Sequence, residues 1–332
     1  MVLMISDDSE RPVACWPGKE RYEGNVVDCL TIIFRTAGCS WNKCLMCSYR
    51  HERLGAGEPS HRYPDRILSQ LAWVLKQHKT DQYRMIKIFT SGSVLDPREI
   101  PPQAAREIAR AFRGKVVIAE TRPEFISEET VSPFVAGIDD GSHKKPFYCA
   151  IGLETANDTI REKCIRKGFS MDEFASACSR AKGLGAGIKA YLLHKPLFLT
   201  EREALDDMVS SIDDAARIAD LISMNPCTVQ GRTELEWYWK QGAYRPPYLW
   251  SVLSILKNAP VHVTCDPVGG GRSRGPHNCG TCDKEIVAGI RDYSLNADRE
   301  LLAALLEKDC SCREEWEYVL ENEIPCGMPL TR

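Results

Sequence analysis

The chain lacks a long apolar run: no stretch approaches the roughly 18 residues that a membrane-spanning helix requires. Its first ten residues are acidic, whereas a secretory signal would be basic. It also lacks an excess of positive charge, because its formal net charge is −3. We therefore expect a cytoplasmic protein with no membrane partner. A nucleic-acid partner would need another subunit or a local basic face, and residues 161–167 and 272–277 are either such faces or ordinary solvated surface.

The chain does have enough apolar residues for a large core. Hydrophobic residues make up 43% of its 332 positions, which argues against disorder and fits one large domain with a smaller appendage. Its 15 cysteines would suggest disulfides outside the cell. Their clustering, partly as Cys-x2-Cys pairs, instead indicates metal binding in a reducing compartment.

Three cysteines crowd into one loop directly after an apolar run of β type: Cys39, Cys44 and Cys47. Three thiolates can hold three irons of a 4Fe-4S cluster and leave the fourth iron open to a small molecule. A zinc knuckle usually has four protein ligands and a shorter first spacing, and three unrelated buried thiols are not expected in so polar a loop. The missing fourth cysteine therefore predicts a catalytic cluster, with a non-catalytic metal-cluster RNA-binding protein as the alternative.

Apolar runs of β type alternate with helical patterns along the first two thirds of the chain. The predicted strands are residues 30–34, 85–89, 116–120, 147–154, 188–193 and 221–224. Apolar spacing predicts a helix over residues 64–78, and sequences typical of capping boxes at Ser170 and Thr200 predict two further helix starts. This alternation indicates an α/β fold with a parallel sheet, either doubly wound or of barrel type. Polar clusters after six strands favour a partial (βα)6 TIM-like barrel.

The composition changes near residue 261, where glycines and cysteines become frequent. We therefore predict two domains, a partial barrel over residues 1–260 and a small cysteine-rich metal-binding module over residues 261–332. The ligands that we predict for the module are Cys265, Cys279, Cys282 and one of Cys310 and Cys312. Four thiolates suit structural zinc. A second iron-sulfur cluster is the alternative, because spacing discriminates poorly between these metals.

Residues 36–49 resemble the cluster motif of the radical S-adenosylmethionine superfamily. The usual motif is Cys-x3-Cys-x2-Cys, and here the first gap is one residue longer. The resemblance implies a partial barrel of that superfamily's type. It also implies that Cys39, Cys44 and Cys47 hold a 4Fe-4S cluster whose free iron binds S-adenosylmethionine.

A further set of residues is predicted to bind this cofactor. The apolar residue of the cysteine loop is placed beside the adenine by the resemblance, and the turn after the second predicted strand is placed at the ammonium group. Two carboxylates at strand ends, Glu120 and Glu154, suit the ammonium or ribose of the cofactor, or a cationic substrate, through charge-assisted hydrogen bonds. Arg122 suits the cofactor carboxylate, with a structural ion pair, for example with Glu154, as the alternative. The set is Met46, Ser91, Gly92, Glu120, Arg122 and Glu154.

Six other segments carry a narrower resemblance: residues 89–97, 119–124, 151–155, 244–250, 265–271 and 275–282. The first three look like the branch that contains the radical S-adenosylmethionine subunit of the elongator complex. All six together are similar to the archaeal radical S-adenosylmethionine subunit of archaeosine synthase. The resemblance implies adenosyl-radical cleavage of a C–N bond in a lysine-modified 7-deazaguanine of tRNA. It implies as partners tRNA, a lysine-transferring subunit and a one-electron donor such as ferredoxin. Another radical S-adenosylmethionine enzyme of tRNA modification is the alternative.

Overall fold

The computed structural model describes residues 10–52 and 63–325. Its strands are β1 (Ala14–Tyr22), β2 (Asn25–Ile33), β3 (Met85–Phe89), β4 (Val116–Thr121), β5 (Phe147–Glu154), β6 (Gly187–His194), β7 (Leu221–Pro226) and β8 (Val263–Cys265). Its α-helices are α1 (Tyr63–Gln77), α2 (Pro102–Ala111), α3 (Glu128–Ile138), α4 (Asp158–Ile160), α5 (Met171–Gly183), α6 (Glu201–Ala216), α7 (Glu234–Lys240), α8 (Leu249–Asn258), α9 (Asp283–Asn296), α10 (Arg299–Leu306) and α11 (Cys312–Asn322). In these ranges, no helix is long and apolar enough to cross a bilayer.

The strands form one eight-stranded sheet whose hydrogen-bonded order follows the sequence from β1 to β8. The pairs β2–β3, β3–β4, β4–β5 and β7–β8 are parallel. A doubly wound sheet reverses its strand order at a switch point, whereas a barrel-type sheet adds strands in sequence. The sequential order confirms the predicted α/β fold of the partial-barrel type, and β2 to β7 are the six predicted strands.

The sheet begins with an antiparallel hairpin that the sequence pattern did not predict. Strands β1 and β2 pair from Ala14 with Ile33 to Tyr22 with Asn25. The two turn residues, Glu23 and Gly24, both have positive φ values of 47° and 81°. Two consecutive positive φ angles are typical of a type I′ turn, whose twist matches that of the paired strands. The hairpin places β1 at the edge of the sheet beside β2.

The middle strands are mostly apolar because both of their faces are covered. Seven of the eight residues of β5 are buried, and in β4 only Glu120 is partly accessible. Burial on both faces is typical of parallel strands flanked by helices. Most polar residues of these strands therefore lie at the strand ends, as Glu120 and Glu154 do. The exceptions Lys87 and Lys189 form ion pairs with Glu20.

Two predicted capping boxes are confirmed. Thr200 and Glu203 exchange side-chain to backbone hydrogen bonds at the start of α6. Ser170 and Glu173 do the same immediately before α5, through Glu173 Oε2 and Ser170 Oγ. Each box satisfies two backbone N–H groups that the helix itself leaves unpaired.

The chain divides into two compact units. Unit 1 comprises Met1–Asn42, Tyr49–Ile151 and Ala175–Lys189, and unit 2 comprises Lys43–Ser48, Gly152–Phe174 and Ala190–Arg332. In unit 1, the rings of Phe134 and Phe147 stack with centroids 5.0 Å apart. In unit 2, α8 is almost wholly buried and packs against α9 and α10, with Trp250 fully enclosed. The domain boundary at residue 260 stays a prediction.

Candidate functional site

The first cysteine of the predicted cluster motif lies just after β2 in unit 1. Phe34 N donates a 2.9 Å hydrogen bond to Phe89 O, which extends the pairing of β2 with β3 beyond the strand end. The chain then turns at Gly38, whose φ is 88°, and reaches Cys39, which is half-buried. The predicted β-type run therefore delivers Cys39 to the carboxyl end of the strand, which is where parallel α/β folds build their sites.

The turn after β3 packs directly against this cysteine. A Cβ atom placed on Gly92 would lie 2.5 Å from Cys39 Cα and 2.8 Å from Cys39 Cβ, and it would also collide with Glu99 Oε1. Real Cβ atoms essentially never approach that closely, so only glycine fits at this position. The structure thus brings a predicted cluster ligand and a predicted cofactor-binding residue together. Their functional roles stay predictions.

Glu99 supports both segments, and the sequence pattern did not reveal it. The side chain is 1% exposed and accepts hydrogen bonds from Thr36 Oγ1 over 2.6 Å and from Ser93 N over 2.7 Å. Burial raises the pKa of this carboxyl, while the hydrogen bonds from Thr36 and Ser93 oppose the rise. Glu99 therefore joins the residues before Cys39 to the turn after β3. Because Glu99 lies far from Thr36 along the chain, no local sequence pattern indicates that these two residues pair.

The predicted residues at the end of β4 are held by contacts within unit 1. Val94 N donates a 2.8 Å hydrogen bond to Glu120 O, and the Glu120 side chain is half-buried. Arg122 is buried, and its Nε donates to Glu124 Oε1 over 2.5 Å. The Arg122 guanidinium lies 5.3 Å from the centre of the Trp41 ring. These contacts give Arg122 the structural ion pair that was the alternative to cofactor binding, and they also fix the direction of its guanidinium.

The other two cysteines of the motif lie in unit 2, on either side of a buried leucine. Leu45 is 1% exposed, its N–H donates to Ile165 O over 3.0 Å, and its carbonyl accepts from Leu235 N over 3.3 Å. Cys44 and Cys47 are both half-buried. Leu45 therefore anchors the loop and leaves the two flanking thiols partly accessible, as a cluster ligand requires.

Met46 and Glu154 also lie in unit 2. Met46 is partly buried against two apolar clusters, one around Leu45 and Leu235 and one around Ile165. Glu154 ends β5 with a left-handed φ of 67° and accepts a 2.6 Å hydrogen bond from Lys167 Nζ. Like Arg122, it has a structural ion-pair partner. A cofactor role for Met46 and Glu154 stays a prediction.

Four cysteines near the carboxyl end of the chain form a compact group, which we call the four-cysteine group: Cys279, Cys282, Cys310 and Cys312. Their sulfur atoms all lie within 4.8 Å of one another, with close pairs at 3.4, 3.6 and 3.7 Å. Zinc-sulfur bonds of about 2.3 Å in a tetrahedron place the sulfurs about 3.8 Å apart. The separations therefore fit one tetrahedral metal ion.

Polar groups around the four-cysteine group also suit thiolates. Trp250 Nε1 donates to Cys312 Sγ and Asn278 Nδ2 donates to Cys282 Sγ, each over 3.3 Å. Burial raises the pKa of the Cys282 thiol to about 11 and also raises the pKa of the Cys312 thiol. Against burial, hydrogen bonds from the backbone N–H groups of Cys282 and Thr281 and from the neighbouring thiols lower the pKa of the Cys279 thiol to about 6. Hydrogen bonds to the sulfurs favour the deprotonated form that a metal ligand must adopt.

The composition of this group differs from the predicted ligand set. Both Cys310 and Cys312 belong to it, whereas one of the two was expected, and Cys265 does not. Cys265 ends β8, is 3% exposed, and exchanges backbone hydrogen bonds with Ser294 Oγ at 2.9 and 2.8 Å. The Cys-x-Cys spacing allows both distal cysteines to face the same point, and Cys265 is instead fixed in the sheet.

A buried ion pair lies at the end of β6 in unit 2. Lys195 is 1% exposed, and its Nζ donates over 2.9 Å to Glu201 Oε2, which is fully buried at the start of α6. Glu323 follows α11, accepts a 2.5 Å hydrogen bond from Glu201 N and lies 3.5 Å from Lys195 Nζ. Because α11 begins at Cys312, one helix connects this pair with the four-cysteine group.

Comparisons with known proteins give the family. No family model matches the chain. It is 41% identical over 327 residues to archaeosine synthase subunit beta of Methanosarcina acetivorans, with 95% of this chain and 91% of the relative covered. It is 33% identical over 323 residues to archaeosine synthase subunit beta of Thermococcus kodakarensis, with 92% and 96% covered.

Among solved structures, a queuine lyase from Clostridium spiroforme bound to SAM and queuine is 14% identical, with a TM-score of 0.47 and coverage of 68% of this chain and 89% of that one. That likeness is distant, and the two sequence relatives decide the assignment. The chain belongs to the archaeosine synthase subunit beta family.

Proposed function

We propose that this protein is a radical S-adenosylmethionine enzyme that completes archaeosine in tRNA by cleaving a C–N bond of a lysine-modified 7-deazaguanine. The observation that carries the proposal is the membership of the archaeosine synthase subunit beta family over nearly the whole chain. The cysteine loop after β2 supports it, because the loop supplies three soft ligands at the carboxyl end of a parallel strand.

Cys39, Cys44 and Cys47 would hold a 4Fe-4S cluster. The donor set fits, since three partly accessible thiols satisfy three irons and leave one iron for S-adenosylmethionine. When bound and reduced by an external one-electron donor, the cluster would supply the electron that breaks the sulfonium C–S bond of S-adenosylmethionine, with methionine as the leaving group, for hydrogen abstraction from the lysine moiety of the substrate. The anchoring of Leu45 on both of its backbone groups holds the thiols of Cys44 and Cys47 in place.

Other residues of the chain would bind and orient S-adenosylmethionine. Gly92 lets the turn after β3 pack directly against Cys39, where its backbone carbonyls would accept hydrogen bonds from the ammonium group of S-adenosylmethionine, and Glu99 fixes this turn through Ser93 N. Arg122 is held in direction by Glu124, so its guanidinium would meet a carboxylate with little loss of side-chain entropy. The protein's part is positioning, because the difficult chemistry belongs to the cofactors.

The proposed partners are tRNA, a lysine-transferring subunit and a one-electron donor such as ferredoxin. Both relatives are named as a beta subunit, which supports a second subunit. Phosphate binding needs clustered lysine and arginine, and the net charge of this chain is −3. Contact with tRNA would therefore use a local basic surface or that second subunit.

We also propose that the four-cysteine group binds structural zinc. The sulfur separations and the N–H donors from Trp250 and Asn278 support a closed tetrahedral site. Such a site would join the start of α9 to the start of α11, because Cys282 and Cys312 lie at these two helix starts.

The test is anaerobic incubation of the reconstituted protein with lysine-modified tRNA, S-adenosylmethionine and a reductant. Nucleoside mass spectrometry is expected to find archaeosine, and chromatography is expected to find 5′-deoxyadenosine. Cys44→Ala is expected to remove cluster absorbance and both products. Cys15→Ala is the matched control, since Cys15 is a half-buried thiol on β1 outside both cysteine groups, and it should keep all three signals.

The outcomes separate the alternatives. Formation of 5′-deoxyadenosine without archaeosine would point to another radical S-adenosylmethionine reaction on tRNA. Cluster absorbance without either product, together with tRNA binding, would point to a non-catalytic metal-cluster RNA-binding protein. Undiminished 5′-deoxyadenosine formation by Cys44→Ala would refute the role of the cysteine loop.

A further inference from the structure

The short helix α7 is attached to the cysteine loop within unit 2. Leu235 N, in the first turn of α7, donates to Leu45 O over 3.3 Å. Gln230, shortly before α7, accepts hydrogen bonds from Ser48 N and Ser48 Oγ, each over 2.9 Å. Side chains on α7 are therefore held close in structure to the loop that carries Cys44 and Cys47.

A row of three aromatic side chains, two of them on this helix, ends at the surface. The rings of Phe198 and Tyr238 meet edge to face with centroids 5.1 Å apart, and those of Tyr238 and Trp237 meet in the same way at 4.8 Å. Phe198 and Tyr238 pack against the apolar cluster that contains Leu45. Trp237, in contrast, is 59% exposed. The row thus supports a large, accessible and firmly braced indole ring.

Positively charged side chains lie on and beside α7, the helix that carries the exposed ring. Arg274 lies with its guanidinium 4.8 Å from the centre of the Trp239 ring, and it pairs with Glu236 over 2.5 Å. Lys240 also pairs with Glu236, over 3.4 Å. On the same helix Glu234 pairs with an arginine, Arg166, over 3.3 Å.

Cations therefore outnumber carboxylates around α7. The four cations at or beside it are Arg166, Arg232, Lys240 and Arg274, against the two carboxylates Glu234 and Glu236. The overall charge of the protein is negative, so this local excess stands out. Exposed aromatic rings among arginine and lysine side chains are typical of surfaces that bind unpaired nucleotides.

We propose that Trp237 is a stacking platform for an unpaired base of the tRNA substrate, with Lys240 and Arg274 at the neighbouring phosphates. The inference rests on the proposed function and deepens it, because it names where this chain holds RNA. Stacking suits the site, since a base that leaves its helix to reach the cysteine loop exposes its own faces and those of its neighbours.

The experiment measures the affinity of the protein for lysine-modified tRNA in the absence of S-adenosylmethionine. Trp237→Ala is expected to weaken binding by about 5- to 150-fold, the range found for loss of one stacked base. Trp237→Phe keeps an aromatic face and should lose less. Tyr318→Ala is the matched control, because Tyr318 is an equally exposed aromatic residue on α11, and it should bind as the wild type does.

The salt dependence of binding provides a second readout. Lys240→Ala is expected to lower the slope of log affinity against log salt concentration by about 0.7 to 0.9, the value for one lost phosphate contact. Trp237→Ala should leave that slope unchanged, because stacking releases no counterions. Equal slopes for Lys240→Ala and the wild type would overturn the phosphate part of the proposal.

The remaining outcomes keep the two proposals apart. Archaeosine formation by the wild type, with unchanged tRNA affinity in folded Trp237→Ala, would overturn the platform and leave the proposed function intact. Loss of binding to the lysine-transferring subunit with unchanged tRNA affinity would make α7 a protein-docking surface and would also overturn it. No archaeosine from the wild type, with tRNA affinity that still falls in Trp237→Ala, would count against the proposed function and support the platform.

Discussion

Thr36 Oγ1 donates a 2.6 Å hydrogen bond to Glu99 Oε2, across 63 positions of sequence and inside the core of unit 1. The bond connects the residues between β2 and Cys39 with the segment after β3. We expect Glu99→Ala to cost about 1–3 kcal/mol of unfolding free energy, because Thr36 Oγ1 and Ser93 N would lose their buried acceptor.

Glu99→Gln should lose less than Glu99→Ala, since the amide oxygen still accepts one of these hydrogen bonds. Anaerobic urea unfolding measures both changes. Glu107→Ala is the control, because Glu107 forms an exposed ion pair on α2 and should change stability by less than about 0.5 kcal/mol. Equal losses for Glu99→Ala and Glu107→Ala would contradict the supporting role.

Gly92 leaves no room for a side chain beside Cys39. We expect Gly92→Ala to lower the iron bound per chain and the yield of 5′-deoxyadenosine, because its Cβ would lie 2.5 Å from Cys39 Cα and the backbone must shift. Iron analysis after anaerobic reconstitution checks this. Gly183→Ala is the control at an open position at the end of α5 and should retain wild-type iron. Wild-type iron content in Gly92→Ala would argue that the turn and the cysteine are not coupled.

The four-cysteine group predicts which cysteines retain a metal. Cys279→Ser is expected to lose the zinc bound per chain and to lower stability, because the site would keep three thiolates. Cys265→Ser should retain one zinc per chain even though it disturbs a buried position. Elemental analysis of both purified variants measures this difference. Zinc lost from both variants alike, or absent from the wild type, would reject the assignment.

The Lys195–Glu201 pair predicts a large effect from removing one charge. Lys195→Met is expected to cost about 3–5 kcal/mol, since the fully buried Glu201 carboxylate would lose its cation. The double variant Lys195→Met with Glu201→Gln should lose less than Lys195→Met alone, because it removes the uncompensated charge. Thermal unfolding of the wild type, the two single variants and the double variant tests this. A double variant that is less stable than the single one by the full effect of Glu201→Gln would show that the pair is not coupled.

The strands that were predicted from the sequence share one physical property. Strands β2 to β7 are buried on both faces for most of their length and therefore read as continuous apolar runs. Strand β1 was missed because it lies at the sheet edge, has only one buried residue, Tyr22, and contains Pro17 and Gly18, which interrupt a strand pattern. Strand β8 was missed because it has three residues, too few for any period.

The candidate site likewise has residues that could be predicted from the sequence and residues that could not. Cys39, Cys44 and Cys47 and the pair Cys279 and Cys282 could be predicted as metal ligands because each set is close in sequence and has metal-ligand spacing. The choice between the distal cysteines depends on how α9 and α10 return the chain to Cys279, and spacing does not contain that information. Glu99, Glu201 and Glu323 were missed for the same reason, since their partners come from other elements.

Asp207, on α6, makes the stability of the protein depend on pH. Its Oδ1 accepts a 2.7 Å hydrogen bond from Thr155, and its Oδ2 is buried without a hydrogen-bond partner in the part of the chain that the structure describes. Burial raises the pKa of this carboxyl from 3.8 to about 6. Between pH 3.8 and 6, the folded state therefore keeps a proton that the unfolded state releases. The stabilisation of the folded state by this proton is complete below pH 3.8 and is lost as the pH rises through 6.

Asp207→Asn is neutral at every pH and should escape that loss. We expect it to be more stable than the wild type at pH 7.5, by at most about 3 kcal/mol, which is the free energy of a shift of this size. The difference should shrink towards pH 4.5, where the wild-type carboxyl is protonated in the folded state. Urea unfolding of the metal-free proteins at pH 4.5, 6 and 7.5 measures it, with Asp206→Asn as a control at an exposed position of the same helix. A constant difference between Asp207→Asn and the wild type at all three pH values would show that the buried charge is not its cause.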